Sequence, residues 1–284
     1  MKISVFSNFK NESTIELIKK VVEALNSFCE KVYINCDYKE MFDGIACFAD
    51  KNQLMSLCDL AVVVGGDGTT LSVAKEAALF NKTVLGINAG RLGFMSGLEK
   101  NELELLNKLA SGEYTVDERM MLKASIYQND ELISSYHSLN DAVITRGELA
   151  RLIDVSVMVE GRLATNTRAD GMIVSTPTGS TAYSMAAGGP VLSPDNSCFV
   201  VTPICPHSLL NRSIVFSSDK ELTLFVENDV YKNSFLSLDG QKSIPIENNT
   251  KIVISKSEYT AKLIKIKPDN FYEILNKKII ERRY

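Results

Sequence analysis

A run of five apolar residues, Leu60-Ala61-Val62-Val63-Val64, leads straight into Gly65-Gly66-Asp67-Gly68-Thr69 and then into a helical pattern. No other stretch constrains the fold as much. A short β-branched run bounded by glycines reads as a buried strand, of the kind found inside a parallel sheet. Leu71, Val73, Ala74, Ala77 and Ala78 then repeat at helical spacing. Strand, glycine loop and helix in this order leave backbone N–H groups free at the helix start, a ready place for phosphate. The glycines let the backbone turn sharply and come close to a ligand, with no Cβ in the way. Asp67 is out of character for a loop that only holds phosphate, because a carboxylate repels it. Beside phosphates it makes sense as a base for an attacking hydroxyl or as a holder of Mg²⁺, the chemistry of a kinase. The simpler alternative is a tight strand-to-helix turn.

Two better-known nucleotide signatures are absent. The chain has no G-x-x-x-x-G-K-[ST], and Leu71 stands where the third glycine of G-x-G-x-x-G would fall. A P-loop ATPase and an ordinary dehydrogenase are therefore disfavoured.

With 284 residues the chain has room for two domains. A net charge of −4 gives no electrostatic footprint for nucleic acid or an anionic membrane. Cysteines 29, 36, 47, 58, 198 and 205 are scattered, with no metal-ligand spacing, which suits reduced thiols and a cytoplasmic location. The N-terminal run Ile3–Phe6 is too short for a signal-peptide core, and no apolar run is long enough to span a bilayer.

The first part of the chain alternates strand and helix patterns. Strands are expected at Ile3–Phe6, Val32–Asn35, Leu60–Val64 and Thr83–Ile87, and helices at Thr14–Phe28, with Ser13 as cap, and Glu99–Ala110. Such alternation predicts a Rossmann-like, doubly wound sheet with ligands at the carboxyl ends of its strands. Beyond residue 120 the period becomes two, as in Ile153, Val155, Val157 and Val159. Further strands are expected at Leu222–Val226, Lys251–Ser255 and Ala261–Ile266, with Asn248-Asn249 as a turn, which together read as a β-sandwich-type domain. Helical spacing returns over Asn270–Tyr284, a helix expected to pack back on the first domain. The division is thus 1–120 with 269–284, an α/β nucleotide and phosphate-donor domain, and 121–268, a β-rich domain; no linker separates them, so a shared cleft is expected.

Several segments carry chemistry. In Asn88-Ala89-Gly90-Arg91-Leu92-Gly93-Phe94, Arg91 suits a phosphate and Phe94 either a base or the core. Asn140-Asp141 sits in a strand-like run, where neighbouring side chains serve one ligand only at a strand end or bulge; the pair is also ordinary turn chemistry. Arg168-Ala169-Asp170-Gly171 precedes a strand and then Ser175 to Pro190, a stretch of hydroxyls and small residues around a helix start at Gly179–Thr181. Such a start offers N–H groups and hydroxyls to a polar ligand, and Tyr183 a flat surface for a ring. Asp239-Gly240-Gln241, taken alone, is a hairpin turn.

In order, Gly65–Thr69, Asn140-Asp141, Thr176–Pro190, Thr202-Pro203-Ile204-Cys205-Pro206-His207 and Asp239-Gly240-Gln241 closely resemble the motifs of the NAD kinase family. The loop alone is shared with diacylglycerol-type lipid kinases and 6-phosphofructokinases; the long Thr176–Pro190 stretch decides among them. The resemblance implies phosphorylation of the 2′-hydroxyl of the adenosine ribose of NAD, with ATP or polyphosphate as donor, Mg²⁺ as its companion and NADP as product. It implies Asp67 as general base, and Gly65, Gly66, Gly68 and Thr69 around the donor phosphates, with Gly68 also near the acceptor. Asn140 and Asp141 would bind ribose hydroxyls. Asp170 with Thr178, Thr181, Ala182, Tyr183, Ser184, Met185 and Ala186 would hold the nicotinamide side. Phe94, Arg151, Arg168, Cys205 and Gln241 fall at or near family ligand contacts. No side chain is assigned as a metal ligand, and a homodimer or homotetramer is implied, with no nucleic-acid or membrane partner.

The chain departs from the family pattern in two places. Asp141 stands where glutamate is commoner, one methylene shorter, and Lys75 where an arginine often closes the loop helix. Two rival readings remain: a lipid or sugar kinase using the same loop, and a non-catalytic dinucleotide sensor.

Overall fold

Strand Leu60–Gly65 is buried on both faces, with Ala61 to Val64 fully inaccessible, and the first part of the fold is arranged around it. A computed structural model describes residues 1–9, 11–90, 92–147, 152–207, 212–227, 234–247, 249–268 and 271–281. Arg91, Arg151, Asn248 and Asn270 lie outside the described residues. The chain divides into two compact units, Met1–Glu118 with Ala261–Tyr284, and Arg119–Thr260.

The first unit runs β1 (Lys2–Ser7), α1 (Glu12–Asn26), β2 (Lys31–Asn35), α2 (Lys39–Phe42), β3 (Cys47–Ala49), α3 (Lys51–Leu57), β4 (Leu60–Gly65), α4 (Asp67–Leu79), β5 (Thr83–Asn88), β6 (Leu98–Glu99) and α5 (Lys108–Ser111). Its strands pair in parallel in the order β3-β2-β1-β4-β5, a doubly wound sheet. The order reverses between β1 and β4, so the carboxyl end of β4 lies at the topological switch point, where open α/β sheets bind ligands. The glycine loop begins at that end.

Burial of Ile18, Val21, Val22 and Leu25 holds α1 to the sheet, at roughly 2 kcal/mol per fully buried side chain. Asn11, not Ser13, takes the cap position. The expected helix at Glu99–Ala110 is broken up. Leu98 and Glu99 pair with Ile87 and Asn88 of β5, and a tight turn follows in which Glu102 N–H donates to the Glu99 carbonyl. Only then does a 3₁₀ helix, Leu103–Asn107, lead into α5, which ends at Gly112 in the left-handed region. Leu106 and Leu109 still reach the core, so the apolar stripe serves its purpose in shorter pieces.

The second unit comprises most of β7 (Thr115–Gln128), then β8 (Glu131–Ser138), β9 (Asp141–Arg146), β10 (Ile153–Val159), β11 (Arg162–Ala169), β12 (Gly171–Ser175), α6 (Tyr183–Ala186), β13 (Cys198–Ile204), β14 (Ile214–Ser217), β15 (Leu222–Glu227), β16 (Ser234–Leu238), β17 (Lys242–Ile246) and the start of β18 (Thr250–Lys265). One antiparallel sheet has the order β14-β13-β12-β9-β16-β17, and β11-β10-β15-β18 with β7 and β8 forms another. Ile153, Val155, Val157, Leu222 and Leu224 from one sheet share a core with Phe199, Val201, Leu236 and Leu238 from the other, which makes a sandwich. Gly171 is required in β12, because a Cβ there would lie 2.2 Å from the carbonyl oxygen of Ile144.

Two strands expected at Lys251–Ser255 and Ala261–Ile266 are one. Between them, Lys256–Thr260 contains no glycine, proline or asparagine to end the strand, and β18 runs on for 16 residues. Its start pairs with β15, and Lys262 and Leu263 pair in parallel with Thr83 and Val84 of β5. The chain then forms α7 (Phe271–Glu281) in the first unit.

Phe199 is fully buried and among the largest such side chains. Phe199→Ala should destabilise the second unit by about 3–5 kcal/mol, read as a lowered urea midpoint.

Candidate functional site

At the end of β4 the chain leaves the sheet at Gly65 and enters α4, with Gly66 at the cap position and Asp67 in the first turn. The N–H groups of Thr69 and Thr70 donate to the Gly66 carbonyl at 3.1 Å. Gly65 is held to its size from within, since a Cβ there would lie 2.9 Å from Thr69 Oγ1. Gly66 and Gly68 differ: nothing lies within 4 Å of where their Cβ atoms would be. Their small size leaves open space on the loop itself.

The Asp67 carboxylate is engaged. Oδ2 accepts from the backbone N–H of Phe94 at 3.0 Å, and Oδ1 from that of Met95 at 3.1 Å. This close approach requires Gly93, whose Cβ would lie 2.3 Å from Asp67 Oδ1. Lys278 of α7 adds an ion pair, with Nζ 3.4 Å from Oδ2, and the same ammonium lies 4.2 Å from the centre of the Phe94 ring. Phe94 also packs against Phe271, with ring centroids 5.9 Å apart. Helix, loop and aromatic side chain therefore fix the carboxylate in place. Sequence reasoning missed Lys278, since helical spacing shows that α7 packs but not which of its charged residues meets the loop.

The second unit carries a cleft of about 490 Å³ lined by Asn140, Asp141, Ala182, Tyr183 and Asp239, with Val143, Thr145, Ser237, Gly240 and Ser243. Asn140 and Asp141 meet there at the start of β9, the strand-end position that allows adjacent side chains to face one ligand. Burial first, and the nearby Asp239 carboxylate second, push the Asp141 pKa up to about 7. Tyr183 is 45% exposed, its ring free to be covered.

Much of the small-residue stretch is explained by close packing beneath this cleft. A Cβ at Gly179 would lie 2.0 Å from the Asn140 carbonyl oxygen, and one at Gly189 would lie 2.3 Å from Ser184 Oγ. Thr176 donates through Oγ1 to the Leu139 carbonyl at 2.6 Å. Thr178 is buried, with its hydroxyl 3.3 Å from an Arg119 nitrogen, and Ser184 is buried against Thr202 Oγ1 at 3.1 Å. Thr181 donates to the Thr178 carbonyl. Met185 is half-buried and Ala186 exposed, both on the single turn of α6.

Asp170 accepts an ion pair from Arg146 at 2.6 Å, and Arg168 is exposed beside it on β11. Arg168 is tied to the Thr202–His207 segment through its carbonyl, which accepts from His207 N–H at 2.9 Å. Cys205 is exposed and left-handed, with φ of 45°. Gln241 is exposed in the turn after β16, its N–H donating to the Leu238 carbonyl. Among the described residues, no helix is long and apolar enough to cross a membrane.

A carboxylate fixed at the start of a helix, in a loop whose glycines leave open space at a switch point, is out of character for a site that only holds phosphate. It suits a phosphotransferase, and fold and site assign the chain to that class. Comparison with known proteins makes the assignment particular. The model of the ATP-NAD kinase N-terminal domain matches residues 3–114 and that of the ATP-NAD kinase C-terminal domain residues 139–266. An NAD kinase of Carboxydothermus hydrogenoformans is 41% identical over 239 residues, 84% of this chain and 85% of that protein. Yeast NADH kinase in complex with NADH superposes with a TM-score of 0.86 at 25% identity, over 97% of this chain and 86% of that one. An NAD kinase from Archaeoglobus fulgidus in complex with ATP gives a TM-score of 0.74 at 26% identity, over 98% of each chain. The chain belongs to the NAD kinase family, and its activity is that of an NAD kinase.

The raised Asp141 pKa has a consequence for stability. Its folded value, about 7, exceeds the ordinary aspartate value, so the protonated carboxyl is favoured by folding. That contribution is fully present below about pH 4 and is lost as pH rises through about 7. Asp141→Asn does not titrate, so its stability relative to the unsubstituted protein should rise across this window by up to roughly 4 kcal/mol, read from urea unfolding at a series of pH values.

Proposed function

We propose that Asp67 accepts the proton of the adenosine 2′-hydroxyl of NAD as that oxygen attacks the terminal phosphorus of ATP or polyphosphate. The new O–P bond forms as the bond to the bridging oxygen of the donor breaks, and the shortened donor leaves with the electron pair. The observation that carries this reading is the Asp67 carboxylate, oriented by the N–H groups of Phe94 and Met95 at the end of a glycine loop. Phosphoryl transfer has a loose transition state, so fixing this group matters more than its strength as a base.

The open space at Gly66 and Gly68 supports a donor whose phosphates lie along the loop with Gly65 and Thr69. Phe94 then edges the acceptor at the same unit. Asn140 and Asp141 take the ribose hydroxyls, and Tyr183 with Ala182 receives the nicotinamide side, supported by their common cleft. Asp170, Thr178, Thr181, Ser184, Met185, Ala186, Arg168, Cys205 and Gln241 shape or flank that side, and Arg151 is carried by resemblance alone. NADH, bound in the solved yeast kinase, and ATP, bound in the Archaeoglobus kinase, support a dinucleotide acceptor and a nucleotide donor here.

Mg²⁺ fits this loop as the donor's companion, with no side chain assigned as its ligand: the open space at Gly66 and Gly68 leaves room beside the phosphates for an ion that keeps several of its waters. When bound it neutralises charge on the phosphate oxygens. Leu132, Ile133, Leu163 and Phe225, all exposed on strands of one sheet of the second unit, support a homodimer or homotetramer.

The test is a coupled assay with an NADP-specific dehydrogenase. Purified protein with NAD, ATP and Mg²⁺ should generate NADP, and chelation of the metal should abolish the signal. Polyphosphate in place of ATP identifies the donor. Asp67→Asn should lower kcat by at least about a hundredfold while NAD affinity changes little. Comparable losses of binding and turnover would make Asp67 a holder of ligand and not the base. Silence of the folded protein with both donors would overturn the reading.

A further inference from the structure

In this structure the turn Asp239-Gly240-Gln241 does more than reverse the chain between β16 and β17. The Asp239 carboxylate accepts three consecutive backbone N–H groups of a distant segment: Asn140 at 2.8 Å and Asp141 at 3.2 Å on Oδ1, and Leu139 at 3.2 Å on Oδ2. Its own N–H donates to the Asp141 carbonyl at 3.1 Å. From the opposite side, Thr176 N–H donates to the Asn140 carbonyl at 2.9 Å, and Gly179 closes on the same carbonyl. The strand end is thus held on two sides.

A hairpin turn alone has no need of this carboxylate, for asparagine adopts the same left-handed conformation as Asp239, at φ of 51°. Three converging N–H donors do favour an anion. The arrangement places that anion beside a second buried carboxylate, Asp141, which a turn would gain nothing by doing. We propose that Asp239 is a positioning residue for NAD, holding Leu139–Asp141 in the backbone shape that turns both Asn140 and Asp141 into one cleft. This rests on the reading of that cleft as the NAD side of the site.

Asp239→Asn should raise the KM for NAD about tenfold, with kcat changing far less and the KM for ATP unchanged. A second readout separates positioning from simple support of the fold. Among the described residues that line the cleft with Asp141, the titratable ones are Asp239 from the turn and Tyr183 from α6, beside the uncharged Asn140, Thr145, Ser237 and Ser243. Loss of the Asp239 charge therefore favours ionised Asp141, and the acid limb of kcat/KM for NAD should move to lower pH. Asp239→Ser, also uncharged but smaller, should give the same displacement and serves if D239N does not fold. Unchanged KM for NAD with an unmoved limb overturns the proposal. So does an equal loss toward NAD and ATP with the limb unmoved, which would reduce Asp239 to a structural turn. A fluorescence titration of NAD against the unsubstituted protein keeps the two questions apart: failure to bind or phosphorylate NAD there removes the reading of the cleft, and this inference with it.

Discussion

Backbone N–H groups drawn away from regular pairing must find acceptors, and in both units a carboxylate supplies them. Asp67 takes the N–H groups of Phe94 and Met95 in the first unit. Asp239 takes those of Leu139, Asn140 and Asp141 in the second. Each joins segments that are far apart in the chain, and each lies just past the end of a strand. Asp67 ties down the 93–95 segment, and Asp239 holds the 139–141 segment together with Thr176 on its other side.

Such clamps need space as well as charge. Gly93 admits Asp67 and Gly179 admits the carbonyl of Asn140, and a methyl group in either place would meet an atom at 2.3 Å or less. Close backbone approach and a charged acceptor are thus two halves of one device. The glycines at 66 and 68 serve differently, since they crowd nothing and leave the loop face open. Within the loop itself glycine plays both roles, since Gly65 is crowded by Thr69 while Gly66 and Gly68 are not.

The parallel sheet, the sandwich and the returning helix were legible because hydrophobic period survives folding unchanged: Leu60 to Val64 of β4 are all apolar and all buried, and Ile153, Val155 and Val157 alternate with more exposed neighbours. The β7–β8 hairpin went unread although its turn, Asn129-Asp130, has the left-handed angles such dipeptides adopt. Helix continuity at Glu99–Ala110 failed because edge pairing with β5 outweighed an apolar stripe that looked helical. In the site, Asp67 and Asn140-Asp141 stood out by residue type in a telling neighbourhood. Asp239 is legible only as part of a turn and a family motif, and Lys278 not at all, because their importance lies in what they touch, 99 and 211 residues away. Lys265 and the hydroxyl of Ser96 are buried in the first unit without any sign in the sequence that they would be.

Strand β18 carries a consequence for how the chain is made. The first unit's β5 has its Thr83 and Val84 edge closed by Lys262 and Leu263, residues that leave the ribosome only after the whole second unit. Until then the nascent sheet presents unpaired N–H and C=O groups, the kind of edge that recruits stray strands. During synthesis the N-terminal segment is thus an open template, and the sandwich that separates it from its closing strand must be translated first. The order of translation therefore makes the last strand the seal on the first sheet.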